Sequence, residues 1–260
     1  MSGSGRIILS YINVRGPALE SVYQIVRKHE TASFDMLTDL FSIPETSESS
    51  PQTGQLRDCL NFLEGTGILR IIEKSKTEEV AIASNFGERP FKLVLLNRLR
   101  SDKKNPFHLV HSHLVSYDIV KFEISGLKQS VEKALDLGFT WTDEKLNFWM
   151  DLADYLGLGR KYASWRSFVS YPTPELVQYM ISDFRRGKKV NVNLRKFLEY
   201  VSSSYFECFT REGKLFEGLQ QTLLYLQRKG LATLRPAASD DPNTILLGGK
   251  PYASVSLEGR

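Results

Sequence analysis

Apolar residues along this chain recur at three-and-four spacing in a succession of blocks, and short alternating runs separate the blocks. After Gly16-Pro17, the positions of Leu19, Val22, Tyr23, Ile25 and Val26 predict a helix to about His29, with proline in the first turn, where its missing N–H costs nothing. Ser33 is placed to cap a short second helix, Phe34 to Phe41, with Leu37, Leu40 and Phe41 on one side and Ile43-Pro44 as its stop. The polar stretch Glu45 to Pro51 predicts a turn. A third helix then carries Leu56, Cys59, Leu60 and Leu63 inward. Strands are predicted at Ile68 to Glu73 and Val80 to Ala83, flanking a polar tip from Lys74 to Glu78.

The block does not stand alone. Leu60-Asn61-Phe62-Leu63-Glu64-Gly65-Thr66-Gly67-Ile68-Leu69-Arg70-Ile71 returns in chemical character as Leu223-Leu224-Tyr225-Leu226-Gln227-Arg228-Lys229-Gly230-Leu231-Ala232-Thr233-Leu234. Both stretches bring a helix bearing leucine and aromatic residues to a glycine and open an apolar strand at once, and the same offset pairs Phe34 with Phe197. Leu60, Leu63 and Ile68 are therefore expected to be buried at positions equivalent to Leu223, Leu226 and Leu231. Upstream, Pro174-Glu175-Leu176 echoes Pro17-Ala18-Leu19 ahead of Val177, Met180, Ile181 and Phe184. Further helices are expected from Leu194 to about Ser203 and from about Leu215 to Lys229. A long hairpin follows, from Leu231 to Leu257 around Pro236 to Asn243.

Three helices, the last closed by glycine and followed by a two-stranded ribbon, are the order of elements in a winged-helix domain, a variant of helix-turn-helix. The chain resembles that superfamily over about 17 to 83 and 174 to 257. The resemblance implies a mainly α fold with small β-wings (α+β), built as tandem winged-helix domains. The expected division is a tail or first strand at 1–16, a winged-helix domain at 17–97, a helical linker or second winged-helix domain at 98–173, and a C-terminal winged-helix domain at 174–260. In the middle stretch, Thr142-Asp143-Glu144 starts a helix bearing Leu146, Trp149, Leu152, Ala153 and Leu156, which Gly157-Leu158-Gly159 ends. Arg160 to Ser164 then turns into the alternating run Trp165 to Tyr171, and Leu127 to Leu137 supplies a preceding helix. The residues before Leu127 read equally as helix or strand.

Composition sets the remaining limits. With 260 residues, 42% hydrophobic and 25% charged, the chain can bury real cores. No run approaches the ~18 apolar residues that span a bilayer, and Met1 to Gly5 lacks the features of a signal peptide, so neither membrane anchoring nor secretion is expected. Two cysteines, Cys59 and Cys208, sit away from any metal-finger spacing and fit a reducing cytoplasm. The net charge of +4 permits nucleic-acid binding without demanding it. Cations gather at Arg98 to Lys104, at Arg160, Lys161 and Arg166, and at Arg185, Arg186, Lys188, Lys189, Arg195 and Lys196. The last stretch holds six cations and no carboxylate. Such runs favour phosphate backbones through counterion release, so these six are expected to form one exposed surface against DNA.

Of the groove-facing helices, the first presents Gln55, Arg57, Asp58, Asn61 and Glu64, a mixed face that suits protein better than phosphate. The last presents Lys214, Gln220, Gln221, Gln227 and Arg228, donors with few acids, and is the better candidate for reading DNA. His108, His111 and His113 match no metal spacing, because no regular element brings all three together, and no metal is expected there. Gly157-Leu158-Gly159 lacks the remainder of a dinucleotide fingerprint, and no P-loop, nucleophile elbow or paired zinc motif occurs, so neither catalysis nor a cofactor is expected. The tryptophans, tyrosines and phenylalanines are assigned to packing. The superfamily includes transcription regulators, replication and plasmid-maintenance proteins and DNA-binding components of prokaryotic anti-phage systems. The resemblance thus implies a non-enzymatic protein on double-stranded DNA, a regulator or a genome-defence component. Tandem winged helices in condensin-like complexes instead bind protein, which makes an assembly subunit, with a protein partner or a second copy, the alternative.

Overall fold

Three prolines in first helical turns and three glycines with left-handed backbone mark the chain off into three rounds of one element order. The computed structural model describes residues 8–41, 53–74, 77–135, 138–162, 166–186, 192–237 and 244–257. It is a mixed α+β structure, mainly helical with small antiparallel sheets, and it divides into two units, Met1–Arg98 and Leu99–Arg260.

In the first unit α1 (Gly16–His29) begins with Pro17 in its first turn and is followed by β1 (Thr31–Ser33) and α2 (Phe34–Phe41). Ser33 caps α2 as its position predicts, its Oγ accepting from the Met36 N–H at 3.1 Å. Then come α3 (Thr53–Gly65), β2 (Leu69–Lys74) and β3 (Thr77–Ile82), and the sheet runs in the order β1-β3-β2. Leu19, Val22, Tyr23 and Val26 of α1 are buried with Leu56, Cys59, Leu60 and Leu63 of α3, and Leu37, Ile68, Val80 and Ala81 complete the core. Burying each such aliphatic side chain contributes about 1.5 to 3 kcal/mol. Leu40 departs from the expected inward face and is exposed, although it stands three residues beyond the buried Leu37. The apolar helix α4 (Phe91–Ser101) follows, and the division between the units falls within it.

The second unit repeats the order twice. Its first round is α5 (Pro106–Ser116), β4 (Lys121–Glu123), α6 (Ile124–Ala134), α7 (Asp143–Leu156), β5 (Arg160–Tyr162) and β6 (Ser167–Val169), with sheet order β4-β6-β5. Its second round is α8 (Pro174–Arg185), β7 (Val192–Asn193), α9 (Leu194–Ser204), α10 (Glu217–Arg228), β8 (Ala232–Pro236) and β10 (Lys250–Leu257), with order β7-β10-β8. A short β9 (Ile245–Leu247) also pairs with β10. The stretch 98–173, read from sequence as linker or domain, thus holds helix, strand, helix, helix and hairpin. Its second helix lies three residues earlier than the expected Leu127 to Leu137, since Leu135 already has extended backbone.

The third helix of every round closes in the same way. Gly67, Gly157 and Gly230 have φ of 70°, 83° and 64°, and the next residue donates its N–H to the carbonyl five positions back: Ile68 to Leu63, Leu158 to Ala153 and Leu231 to Leu226. This is the C-terminal turn that glycine enables. Two expected equivalences need correction. Ile68 is buried but Leu231 is 40% exposed, because the inward positions of β8 are taken by Ala232 and Leu234. Phe34 and Phe197 are not counterparts: aligning the capped starts of α2 and α9 pairs Phe34 with Leu194 and Leu37 with Phe197, and the single offset fails because α9 has 11 residues where α2 has 8.

Candidate nucleic-acid interface

The cations picked out by sequence are mostly spoken for. Along α7, Asp143, Asp151 and Asp154 are spaced to share one helical face. Arg166 reaches Asp143 at 3.2 Å, Lys161 reaches Asp151 at 2.6 Å and Arg160 reaches Asp154 at 3.2 Å. Arg186 lies 3.4 Å from the buried Asp183, and Lys214 lies 2.6 Å from Glu212. Arg195 is half-buried and turns to the hairpin, donating to the Thr244 carbonyl at 3.2 Å, while Lys196 is exposed. Arg185 ends α8. Lys188 and Lys189 lie outside the described residues. In the Arg98 to Lys104 group, Arg100 is internal, bonded to Glu207, to the Ser202 carbonyl and to His108. On α3, Arg57 forms a forked pair with Glu78 and covers the Phe34 ring at 4.1 Å, and Glu64 accepts from the Ile71 N–H, so that polar face is satisfied within its own unit.

Three of the residues picked out by sequence, Arg160, Gln221 and Arg228, meet at a cleft of about 510 Å³ in the second unit. The cleft exists because α10 and the segment 170–173 approach very closely. Gly218 faces the Ser170 carbonyl at a distance no larger side chain would tolerate, and Thr222 donates its hydroxyl to the Pro172 carbonyl at 2.7 Å. On its other side the segment is held by the Thr173 N–H, which donates to the Gly157 carbonyl at 2.7 Å, and Thr173 Oγ1 caps α8 by accepting from Leu176. A segment so fixed between two prolines, Pro172 and Pro174, presents Tyr171 outward at 40% exposure, and Tyr225, one turn beyond Gln221 on α10, is 39% exposed. Both tyrosines line the cleft, which corrects their assignment to packing. Sequence could have found Tyr225, which shares the outward face of α10 with Gln221 and Arg228; Tyr171 is set by a tertiary contact.

Charge in the cleft is mixed. Arg228 has no hydrogen bond or ion pair among the described residues. Arg160 is 67% exposed and holds Asp154 through a single contact, a pair of the kind that contributes about 0 to 1 kcal/mol and exchanges readily. Glu217 supplies a carboxylate that accepts from the side-chain amides of Gln220 and Gln221, each at 2.6 Å, while its own N–H donates to Asp118 at 2.9 Å. Those two glutamines are thus fixed in orientation by an acid that the sequence reading left out.

The histidines lie on α5 and look to different partners. His108 accepts from Arg100 at 2.7 Å, and His113 meets Ser130 Oγ at 2.7 Å. His111 packs edge-on to Phe206 at 5.2 Å with neither ring nitrogen hydrogen-bonded. Burial, helped by Arg100, pushes His108 down to about 4, and burial with His108 beside it pushes His111 down to about 3. Both are neutral imidazoles near pH 7. Among the described residues no group of three histidines, cysteines or carboxylates is arranged to hold a metal ion. Cys59 and Cys208 are buried free thiols, each pushed up to about 12 by burial. Among the described residues no helix is long and apolar enough to cross a membrane.

Comparison with known proteins finds no match to this chain among family models, curated proteins or solved structures.

Proposed function

We propose that the three rounds are winged-helix units and that the chain is a non-enzymatic protein that binds duplex DNA through the last of them. The element order, with a third helix closed by glycine before an antiparallel hairpin that pairs back to the strand after the first helix, supports the winged-helix reading. The observation that carries the DNA reading is the convergence of Arg160, Gln221 and Arg228 with two exposed tyrosines on the outward side of α10. Arginines on flexible stems meet phosphates, and an amide held in one orientation meets a base edge. Fluorescence anisotropy of the full chain on a labelled duplex at two salt concentrations tests this. Binding that weakens with salt, and whose log-log salt slope falls by about 0.9 for each phosphate contact removed in Arg160→Ala and Arg228→Ala, is the expected result. Absence of salt-dependent binding, or parental affinity and slope in the double variant, overturns it.

A second reading, an assembly subunit whose winged helices bind protein, is favoured by a separate observation. Most cations of the middle hairpin already face carboxylates, while Leu246 in β9 is 63% exposed. A stoichiometric complex with a protein partner or a second copy, with no retention on DNA, would establish this reading in place of the first.

A further inference from the structure

We infer that the cleft beside α10 takes one unpaired nucleotide, so that the protein prefers a duplex end or junction carrying a single-stranded nucleotide to a blunt duplex; this rests on the DNA reading above. A cleft of about 510 Å³ lies within the range of about 300 to 1,000 Å³ typical of small-molecule sites; a double helix bound by the residues at its rim would lie across it, and only an unpaired nucleotide could enter. Its chemistry is that of a nucleotide divided into its parts. Tyr171 and Tyr225 offer two exposed aromatic rings, the surface on which an unstacked base settles whatever its identity. Arg228 and Arg160 offer guanidinium groups, one without a partner among the described residues and one in a single exposed contact, to a phosphate.

Glu217 and Gln221 complete the cleft at its polar edge. A carboxylate repels phosphate but accepts from an exocyclic amino group, and here two amides fix it in place. The arrangement therefore favours a base that bears an exocyclic amino group, cytosine, adenine or guanine, over thymine. The walls are preorganised: the Thr222 bond to Pro172 and the Gly218 approach to Ser170 hold Tyr171 beside α10 before any ligand arrives.

The test compares one labelled duplex in three forms, blunt, with a single overhanging dC and with a single overhanging dT, by anisotropy on the full chain. The dC overhang should bind about tenfold tighter than the blunt end, a fold-change within reach of base stacking on an aromatic ring, and tighter than the dT overhang. In Tyr171→Ala with Tyr225→Ala the ratio of overhang to blunt-duplex affinity should fall to about one, whatever the change in blunt-duplex affinity. Both tyrosines are exposed, and an unchanged circular dichroism melt establishes that the variant folds; Tyr171→Phe with Tyr225→Phe, which keeps the rings, should retain the preference. Equal affinity for blunt and overhanging duplexes, or a preference that survives loss of both rings, overturns the inference while leaving duplex binding intact. Failure to bind any duplex overturns the DNA reading itself. Binding of free dCMP without any overhang preference counts against a strand nucleotide as the occupant and overturns the inference as stated.

Discussion

Replacing Gly218 by alanine should destabilise the protein although it improves a helix. Gly218 lies in the first turns of α10, where an added methyl carbon would stand 2.1 Å from the Ser170 carbonyl oxygen and 2.6 Å from the Phe216 ring. Touching heavy atoms sit at about 3.5 Å, and the oxygen belongs to backbone that Pro172 and Thr173 hold in place, so the clash cannot be relieved by turning a side chain. On helix propensity alone the change would gain up to about 1 kcal/mol. Against this stand overpacking, typically about 1 to 3 kcal/mol, and loss of the Thr222 bond to Pro172 if the segment retreats, about 1 kcal/mol. The net expectation is a loss of about 1 to 3 kcal/mol. Gly126 of α6 is the matched control, since nothing lies within 4 Å of a methyl group there and its backbone needs no positive φ. Gly126→Ala should therefore gain a few tenths to about 1 kcal/mol. Urea unfolding followed by far-UV circular dichroism reads both from midpoint shifts at constant slope. If Gly218→Ala were as stable as the parent, or shifted in the same direction as Gly126→Ala, the close approach that shapes the cleft would not exist.

His111→Leu removes a buried imidazole that stays neutral down to about 3, whereas the unfolded chain takes up a proton near 6.5. Its contribution is therefore fully present above pH 6.5 and declines as pH falls from there toward 3, so the variant should lose about 2 kcal/mol of the parent's destabilisation between pH 7.5 and pH 5; identical pH profiles in urea titrations would refute this. Leu63→Ala and Leu226→Ala, both fully buried, should each cost about 2 to 5 kcal/mol, whereas Leu231→Ala, 40% exposed, should cost less than either; a ranking that puts Leu231 first in thermal melts would sink the inward register assigned to β8. Asp183→Ala should cost at least about 1 to 3 kcal/mol, because the buried Tyr205 hydroxyl, donating to that carboxylate at 2.6 Å, is left without it; a neutral result by the same melt would show that the pair is replaceable.

How much of this was legible depends on how local each signal is. Pro17 and Pro174 at helix starts, Ser33 as a cap and Gly67, Gly157 and Gly230 at helix ends act through their immediate neighbours, and the helices read from them hold to within a few residues. Strands β4 and β7 have three and two residues, too few to carry a period, and exist because Phe122 pairs with Phe168 and Asn193 with Ser254 far along the chain. That is why the stretch before Leu127 read as either helix or strand. Charge misled for a related reason. A run of cations says nothing of what faces it, yet the acids facing Arg160, Lys161 and Arg166 were themselves readable, since Asp143, Asp151 and Asp154 stand at helical spacing on α7. Tyr171 lay beyond such reading, because its exposure follows from Gly218 and Thr222 drawing a linker against α10. Tyr171 lines the cleft only because two rounds of the repeat pack together, so the candidate site belongs to the junction of the second and third rounds, and cutting the chain between Tyr171 and Pro174 would divide it.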